Sequence, residues 1–355
     1  MQDPKITRNS QPAPMPPDQI LGMGFGFFAA KTLMTAVEVG LFSKLAEAPM
    51  LGKACEAHFN WHSRATYDFL DALVALKLLE KAPQDSDSLY RNSAAAALYL
   101  DKASEFYIGG ILIMAGRRLY RFWNDLGVAL TSGQPQSEVK HQEKRLFDEI
   151  FQDQSKLKEF CAAMTGLSRY NFMMFTDRYP FDRHKIHLDL GASMGLLSRF
   201  VVEKYPNIQS IAFDLPEVIP ITRESLHHWK IPHDRVEVVG GSFFTSVLPR
   251  ADVITLGNIL HDWNLEDKKK ILKNVFHALT PGGSMVIIEN LIDDDRQENA
   301  FGLLMSLNML IEFGDAYDTT FCDLENLCKD IGFAHFERMA VHGPCSALVA
   351  YKSTT

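Results

Sequence analysis

From Lys185 onward, apolar runs of strand length alternate with segments of helical spacing, and no other feature constrains the fold of this chain as tightly. "KIHLDLG", "SIAFDLP", "VEVVGGS", "ADVITLG" and "SMVIIENL" read as strands. "LLSRFVVEKYP", "VIPITRESLHHWK" and residues 265–279 fall between them with helical periodicity. Such alternation predicts an α/β domain with a mostly parallel sheet and helices on both faces. "HFERMAVHG" and "SALVAYK" follow one another closely and predict a hairpin at the sheet. In an open sheet of this kind ligands bind beyond the carboxyl ends of the strands. The residues at those ends are therefore the candidates for chemistry.

"HLDLGASMG" (187–195) is a strand, a glycine-bearing turn and the start of a helix. Gly191 and Gly195 would let a ligand approach the backbone closely. Asp214, in "FDLP", follows Gly195 by 19 residues. That is the spacing at which an acidic side chain reaches a ribose hydroxyl, although a carboxylate capping a tight turn would look the same. The turn is not GxGxxG, which favours a nucleoside without a pyrophosphate over a dinucleotide. "NILHDW" (258–263) places His261 where another strand ends, and "TPGGSMVIIEN" places Glu289 at the end of the next. On adjacent strands the two would meet, and a carboxylate beside an imidazole fixes its tautomer and raises its basicity. Singly, each reads as an ordinary polar residue; paired, they point to acid–base catalysis. HExxH, HxxEH and a Cys/His cluster are absent from the sequence, which argues against a metal site.

The amino-terminal half reads differently. Residues 1–17 are proline-rich and are expected to lack fixed structure. Asp18 reads as the N-cap of "QILGMGFGFFAAKTLMTAVEVGLFSKLAEA", a helix apolar on most faces and so expected to be buried against another chain. Residues 50–100 read as a compact helical unit with "SDSLYRNS" as a hairpin or wing, and helices then run to about Tyr179 around a loop at 131–137. The net charge of −8 lies in no long single-sign block, which disfavours nucleic acid or an anionic membrane as partner. Residues 1–150 hold 16 basic and 17 acidic residues, which argues against a DNA-binding winged helix. Five scattered cysteines without a CxxC pair suggest reduced thiols in a cytoplasmic protein. No signal peptide is evident, and the apolar stretches read as interrupted short of membrane-spanning length.

"LDLGASMG", "FDLP", "GGSFF", "NILHDW", "TPGG" with "IIEN", and "SLNML" occur in this order. The ordered set resembles the class I S-adenosylmethionine-dependent O-methyltransferases that act on small aromatic molecules. "AVEVGLFSKLAE", "LLEK" and "YRNS" are similar to the winged-helix dimerisation domain of that family. The resemblance covers roughly residues 20–352. It implies a Rossmann-like domain with a mostly parallel seven-stranded sheet over 181–355. A mainly helical winged-helix dimerisation domain over 18–105 and a helical linker and pocket region over 106–180 would precede it. It also implies a homodimer, S-adenosylmethionine as cofactor and a small aromatic acceptor. Asp189, Gly191 and Gly195 would line the methionine end of the cofactor, Asp214 and Leu215 the ribose, Ser242 and Phe243 the adenine. Met164, Ser168 and Gly257 would close that site. His261 would be the general base, oriented by Glu289, with Asp318 as the nearest match to a second orienting acid. Asn258, Met305, Asn308 and Met309 would line the acceptor pocket.

The family's GGGxG loop is Gly-Ala-Ser-Met-Gly here, Ser242 replaces the usual acidic adenine contact, and the usual ERT segment is missing. These departures keep open an alternative with the same cofactor site and drifted chemistry: hydroxylation, decarboxylation, rearrangement, or C- or N-methylation. A nicotinamide dehydrogenase fits the turn and the "HDW" context less well.

Overall fold

The computed structural model describes residues 14–84, 86–140, 146–151 and 153–354. Most of the proline-rich arm expected at 1–17 lies outside them. The chain divides into two compact units, residues 1–101 and 102–355.

The larger unit is built on one seven-stranded sheet. Its strands, in chain order, are β1 (Ile186–Leu190), β2 (Gln209–Asp214), β3 (Val236–Gly240), β4 (Ala251–Gly257), β5 (Leu279–Glu289), β6 (Phe333–His342) and β7 (Cys345–Lys352). The spatial order is β3-β2-β1-β4-β5-β7-β6. The first five are parallel, and β7 enters antiparallel between β5 and β6. Strand order reverses between β1 and β4, which opens a crevice beyond their carboxyl ends. The four helices that bear on the site are α1 (Gln154–Arg178), α2 (Leu196–Lys204), α3 (Leu265–Ala278) and α4 (Ala300–Phe313). The sheet core is aliphatic on both faces: Leu188, Ile254, Leu256, Ile287 and Leu348 on one, Val253, Val286, Ile288, Ala347 and Val349 on the other. Each fully buried Val, Leu or Ile among them contributes about 1.5–3 kcal/mol relative to exposure. That is why central strands covered by helices read as unbroken apolar runs rather than as an alternation.

In the smaller unit, short helices at 41–47, 52–59 and 63–75 precede an antiparallel hairpin, Leu79–Gln84 with Asp87–Asn92. The hairpin is the expected wing. The entry helix departs from expectation. It is two helices, Pro17–Gly24 and Gly26–Glu38, joined at Phe25. Pro16 takes the N-cap position and Pro17 the first turn, so Asp18 lies inside the helix rather than capping it. A proline at the first helical position removes an N–H that would be unpaired there anyway. Ile20, Leu21, Met23, Phe25, Phe27 and Phe28 are all at least half exposed. Residues 17–38 together are long and apolar enough to cross a membrane by length and composition, which corrects the expectation that every apolar stretch is too short. All five cysteines are unpaired.

Candidate functional site

Four strand ends and two loops converge in the crevice. At the end of β1, Asp189 is buried and accepts hydrogen bonds from Ser198 N at 3.3 Å, Ser198 Oγ at 3.1 Å and Thr255 Oγ1 at 3.1 Å. Behind it, Thr255 Oγ1 lies 2.8 Å from His187 Nε2, and His187 Nδ1 lies 2.9 Å from Ser210 Oγ. These three strands thus hold the Asp189 carboxyl in one orientation.

The following loop has to turn within five residues. Gly191 and Gly195 both adopt left-handed backbone angles, φ +77° and +79°. A Cβ on Gly191 would come within 2.2 Å of Ile259 Cδ1. Ser193 is left-handed as well, φ 50°, and is held there because its N–H donates to Asp214 Oδ2 at 2.7 Å. Asp214, at the end of β2, accepts the Leu215 N–H through its other oxygen at 2.7 Å. A carboxylate has about four lone-pair sites, so two remain for ribose hydroxyls.

Burial pushes the carboxyls of both Asp189 and Asp214 up to about 6. Among the described residues, neither has a cation as a hydrogen-bond partner. One buried and one half-buried acid above a glycine cradle are complementary to a ligand with positive charge at one end and a ribose at the other. The residues present fit S-adenosylmethionine, whose ammonium and sulfonium would meet Asp189 and whose ribose would meet Asp214.

The remaining sites expected for the cofactor lie around the same crevice. Ser242 Oγ accepts the Phe244 N–H at 3.2 Å, and Ser242 N donates to Ser246 Oγ at 3.0 Å, so the serine braces the turn after β3. Phe243 meets Trp263 edge-on with ring centroids 5.7 Å apart, which ties the adenine-side loop to the "HDW" segment. Gly257 has no room for a side chain, since a Cβ there would lie 2.5 Å from Phe172 Cζ on α1. Asn258, with φ 53°, donates from Nδ2 to Ser168 Oγ at 2.9 Å and ties the end of β4 to α1. Met164, also on α1, and Leu215 are half-buried.

His261 sits on a single 3-10 turn, Leu260–Asp262. The sequence leads one to expect that Glu289 orients its imidazole. Instead, Glu289 Oε1 accepts the backbone N–H groups of Leu260 at 2.6 Å and His261 at 3.2 Å. It holds the turn, not the ring. Among the described residues the carboxylates within 4 Å of the imidazole are Asp318, Oδ1 3.7 Å from Nδ1, and Asp262, Oδ1 3.5 Å from Nε2. Both distances are too long for a hydrogen bond with neutral imidazole but suit an ion pair with imidazolium.

Electrostatically the ring is surrounded by acids. Burial, with repulsion from Glu289, pushes Asp318 up to about 8. Burial, with repulsion from Glu289, Glu312 and Asp318, pushes Asp262 well up. Burial lowers His261 to about 4, with the Lys268 charge adding to the effect. The imidazole is therefore neutral, and able to accept a proton, throughout the neutral range.

Of the expected acceptor-pocket residues, Met305 and Met309 lie on α4, half-buried and buried. Asn308, on the same helix, is used within the protein: its Oδ1 accepts the Trp123 Nε1–H at 2.9 Å. Glu312, one turn on, pairs with Arg118 at 3.3 Å. Asn308 thus contributes by holding an aromatic wall rather than by offering free polar groups. Sequence reasoning does not pick out Asp262, Thr255, Lys268, Glu312 or Trp123. Of these only Asp262 carries a signal, as part of "HDW"; the others become visible only once chain segments far apart are brought together.

Two family descriptions match the chain. An O-methyltransferase domain covers residues 123–334 and an O-methyltransferase dimerisation domain covers residues 22–102. The tetracenomycin polyketide synthesis 8-O-methyl transferase TcmO of Streptomyces glaucescens is 35% identical over 337 residues, spanning 95% of this chain and 97% of that one. Bovine acetylserotonin O-methyltransferase is 29% identical, spanning 92% and 95%. The crystal structure of human N-acetylserotonin methyltransferase in complex with S-adenosylmethionine superposes with a TM-score of 0.88 at 27% identity, covering 97% of this chain and all of that one.

Proposed function

The chain belongs to the O-methyltransferase family that carries an amino-terminal dimerisation domain, and from that premise we propose that it moves a methyl group from S-adenosylmethionine to a hydroxyl of a small aromatic acceptor, with His261 as general base. The observation that carries this reading is a half-buried imidazole at the crevice edge, neutral in the neutral range, with the acidic side chains of Asp318 and Asp262 at 3.7 Å and 3.5 Å. The cofactor supplies an electrophilic methyl carbon on a sulfonium, whose old bonding pair stays with sulfur. What the chain must do is align the acceptor oxygen, exclude water and take the proton. A phenol, with a pKa near ~10, is not ionised beforehand by an imidazole. His261 takes the proton as the new bond forms, and the resulting imidazolium pairs with whichever of Asp318 and Asp262 is ionised, since burial holds both above the usual carboxylate range. Glu289 keeps the turn in place beneath it. Trp123, Met305 and Met309 offer flat and adaptable apolar walls suited to an aromatic ring. The relatives named above act by O-methylation, and a drifted chemistry is not favoured. Product analysis by mass spectrometry after incubation with a panel of hydroxylated polycyclic and indolic acceptors tests the reading; cofactor binding with no methylated product from any of them would count against it.

Cofactor affinity should depend on pH in one direction. Asp189 and Asp214 are protonated in the free protein below about 6, and the cofactor requires them charged. Affinity should therefore be constant above pH 7 and weaken as pH falls through 6, by up to about tenfold per unit for each carboxyl. Calorimetry between pH 8 and 5 measures this, and a flat profile would mean that these acids do not meet the cationic end.

The assembly proposed is a homodimer through residues 17–38. Six large apolar side chains there are at least half exposed. Gly22, Gly24 and Gly26 have nothing within 4 Å of a hypothetical Cβ, so no close approach among the described residues accounts for them. Exposed apolar area of this kind marks an interface, and the match to a dimerisation domain makes a second copy the occupant; a soluble, cytoplasmic dimer is the form that buries it. Phe28→Asp should convert the dimer to monomer in sedimentation at micromolar concentration. A wild-type protein that sediments as a monomer would refute the assignment.

A further inference from the structure

Lys268 has no part in the proton transfer proposed for His261, yet it is the most anomalous residue beside the site. It lies on α3 with no exposed surface at all, and lysine is almost never fully buried unless paired. Its Nζ donates to the Tyr317 carbonyl at 2.6 Å and lies 3.4 Å from the centroid of the Tyr317 ring. The next residue is Asp318, whose Oδ1 stands 3.7 Å from His261 Nδ1. The ammonium thus anchors the backbone that delivers this carboxylate to the imidazole.

Several elements press charged groups on the ring. Asp262 comes from the 3-10 turn itself, Glu289 from β5, Glu312 from α4 by way of Asp262, Asp318 from the segment after α4, and Lys268 from α3. Lys268 feels Glu289, Asp318, Asp262 and Asp315 together. Buried acids this close cannot all be ionised without a cation among them.

We infer that Lys268 is a positioning residue for the His261 base: it pins Tyr317–Asp318 against the imidazole and supplies a positive charge that favours the ionised form of Asp318 over the protonated one when the imidazole receives the acceptor's proton. The competent state then has neutral His261 and charged Asp318, and with burial holding the Asp318 carboxyl up to about 8 it fills as pH rises through that value. Removing the ammonium raises the proton affinity of both groups, so that state is reached only at higher pH. The role in turnover rests on the methyl-transfer reading; the electrostatic role does not.

The variant is Lys268→Met, which keeps the apolar stem and leaves the acids free to become neutral by protonation, with Lys268→Arg as the charge-preserving partner. Folding is checked by circular dichroism. The His261 ring is titrated by NMR in cofactor-free protein, its resonance assigned by its loss in His261→Gln. In the wild type it should titrate near 4. In Lys268→Met the midpoint should rise by more than one unit, a tenfold or larger change in proton affinity at about 1.4 kcal/mol per unit. The ascending limb of the pH profile of kcat/KM for the acceptor should move up with it, while Lys268→Arg should leave both near wild type. A folded Lys268→Met protein with an unmoved His261 midpoint would overturn the inference, since a lysine that merely anchors the loop lowers Tm and rate without shifting a titration. A shifted midpoint in a protein that makes no methylated product would support the electrostatic role and count against the proposed function instead.

Discussion

Replacing His261 with glutamine should lower the rate of methyl transfer by roughly 10²–10⁴-fold, the usual contribution of a positioned acid–base group. Glutamine keeps a hydrogen-bonding head of similar reach but cannot accept the acceptor's proton. The fold should survive, because the turn is held by Glu289 through the backbone N–H groups of Leu260 and His261 and not through the imidazole. Cofactor affinity should stay within about twofold, since no hydrogen bond of the ring reaches Asp189 or Asp214. Single-turnover kinetics at saturating cofactor isolate the step. A variant that keeps most of the wild-type rate, with unchanged Tm, would show that the acceptor arrives already ionised or that alignment alone suffices. The same experiment separates the neighbouring acids. Asp318→Asn, which removes the ionisable group facing Nδ1, should slow transfer while leaving Tm nearly unchanged. Glu289→Gln should lower Tm as well as rate, because Glu289 braces the backbone.

Asp214→Asn should abolish tight cofactor binding, raising Kd by about a hundredfold or more. Asp214 receives two backbone N–H groups at 2.7 Å, one on each oxygen. Asparagine offers one oxygen, so its amide would face one of these donors and leave it unpaired. The ribose would also lose an ionised acceptor, and hydrogen bonds to charged groups contribute about 1.5–3 kcal/mol each. Two such losses exceed the roughly 2.7 kcal/mol that a hundredfold change requires. The Ser193 N–H held by Asp214 also sustains the left-handed turn of the loop, so the cradle itself should loosen. Calorimetric titration of the folded variant reads the effect. Affinity within threefold of wild type would mean that the ribose lies elsewhere in the crevice.

Much of the fold and of the crevice is legible in the amino-acid sequence. Central strands between covering helices must be apolar on both faces, so "KIHLDLG" and "ADVITLG" can hardly be anything else. The glycines at 191 and 195 and the acid at 214 follow from what a tight strand-to-helix turn over a ribose requires. His261 is legible as a strand-end residue for the same reason. Other readings fail where the deciding partner lies outside the local window. Asp18 looks like an N-cap because aspartate caps helices, but Pro16 and Pro17 begin the helix earlier. Asn308 looks like a free polar wall of the pocket, but Trp123, 185 residues away in the chain, occupies its carbonyl.

The strands, the helices between them and the edge at which ligands must bind are written into the amino-acid order, because they follow from periodicity and from residues within one turn of each other. Which acid faces the imidazole depends instead on long-range packing. Glu289 and His261 end neighbouring strands, but on adjacent parallel strands the shorter route from the glutamate runs to the backbone of the turn, and its oxygen takes the N–H groups there. Asp318 reaches the ring from the segment after α4, whose Tyr317 carbonyl accepts from the Lys268 ammonium of α3. No spacing rule encodes that meeting, since it depends on where long-range packing delivers a loop.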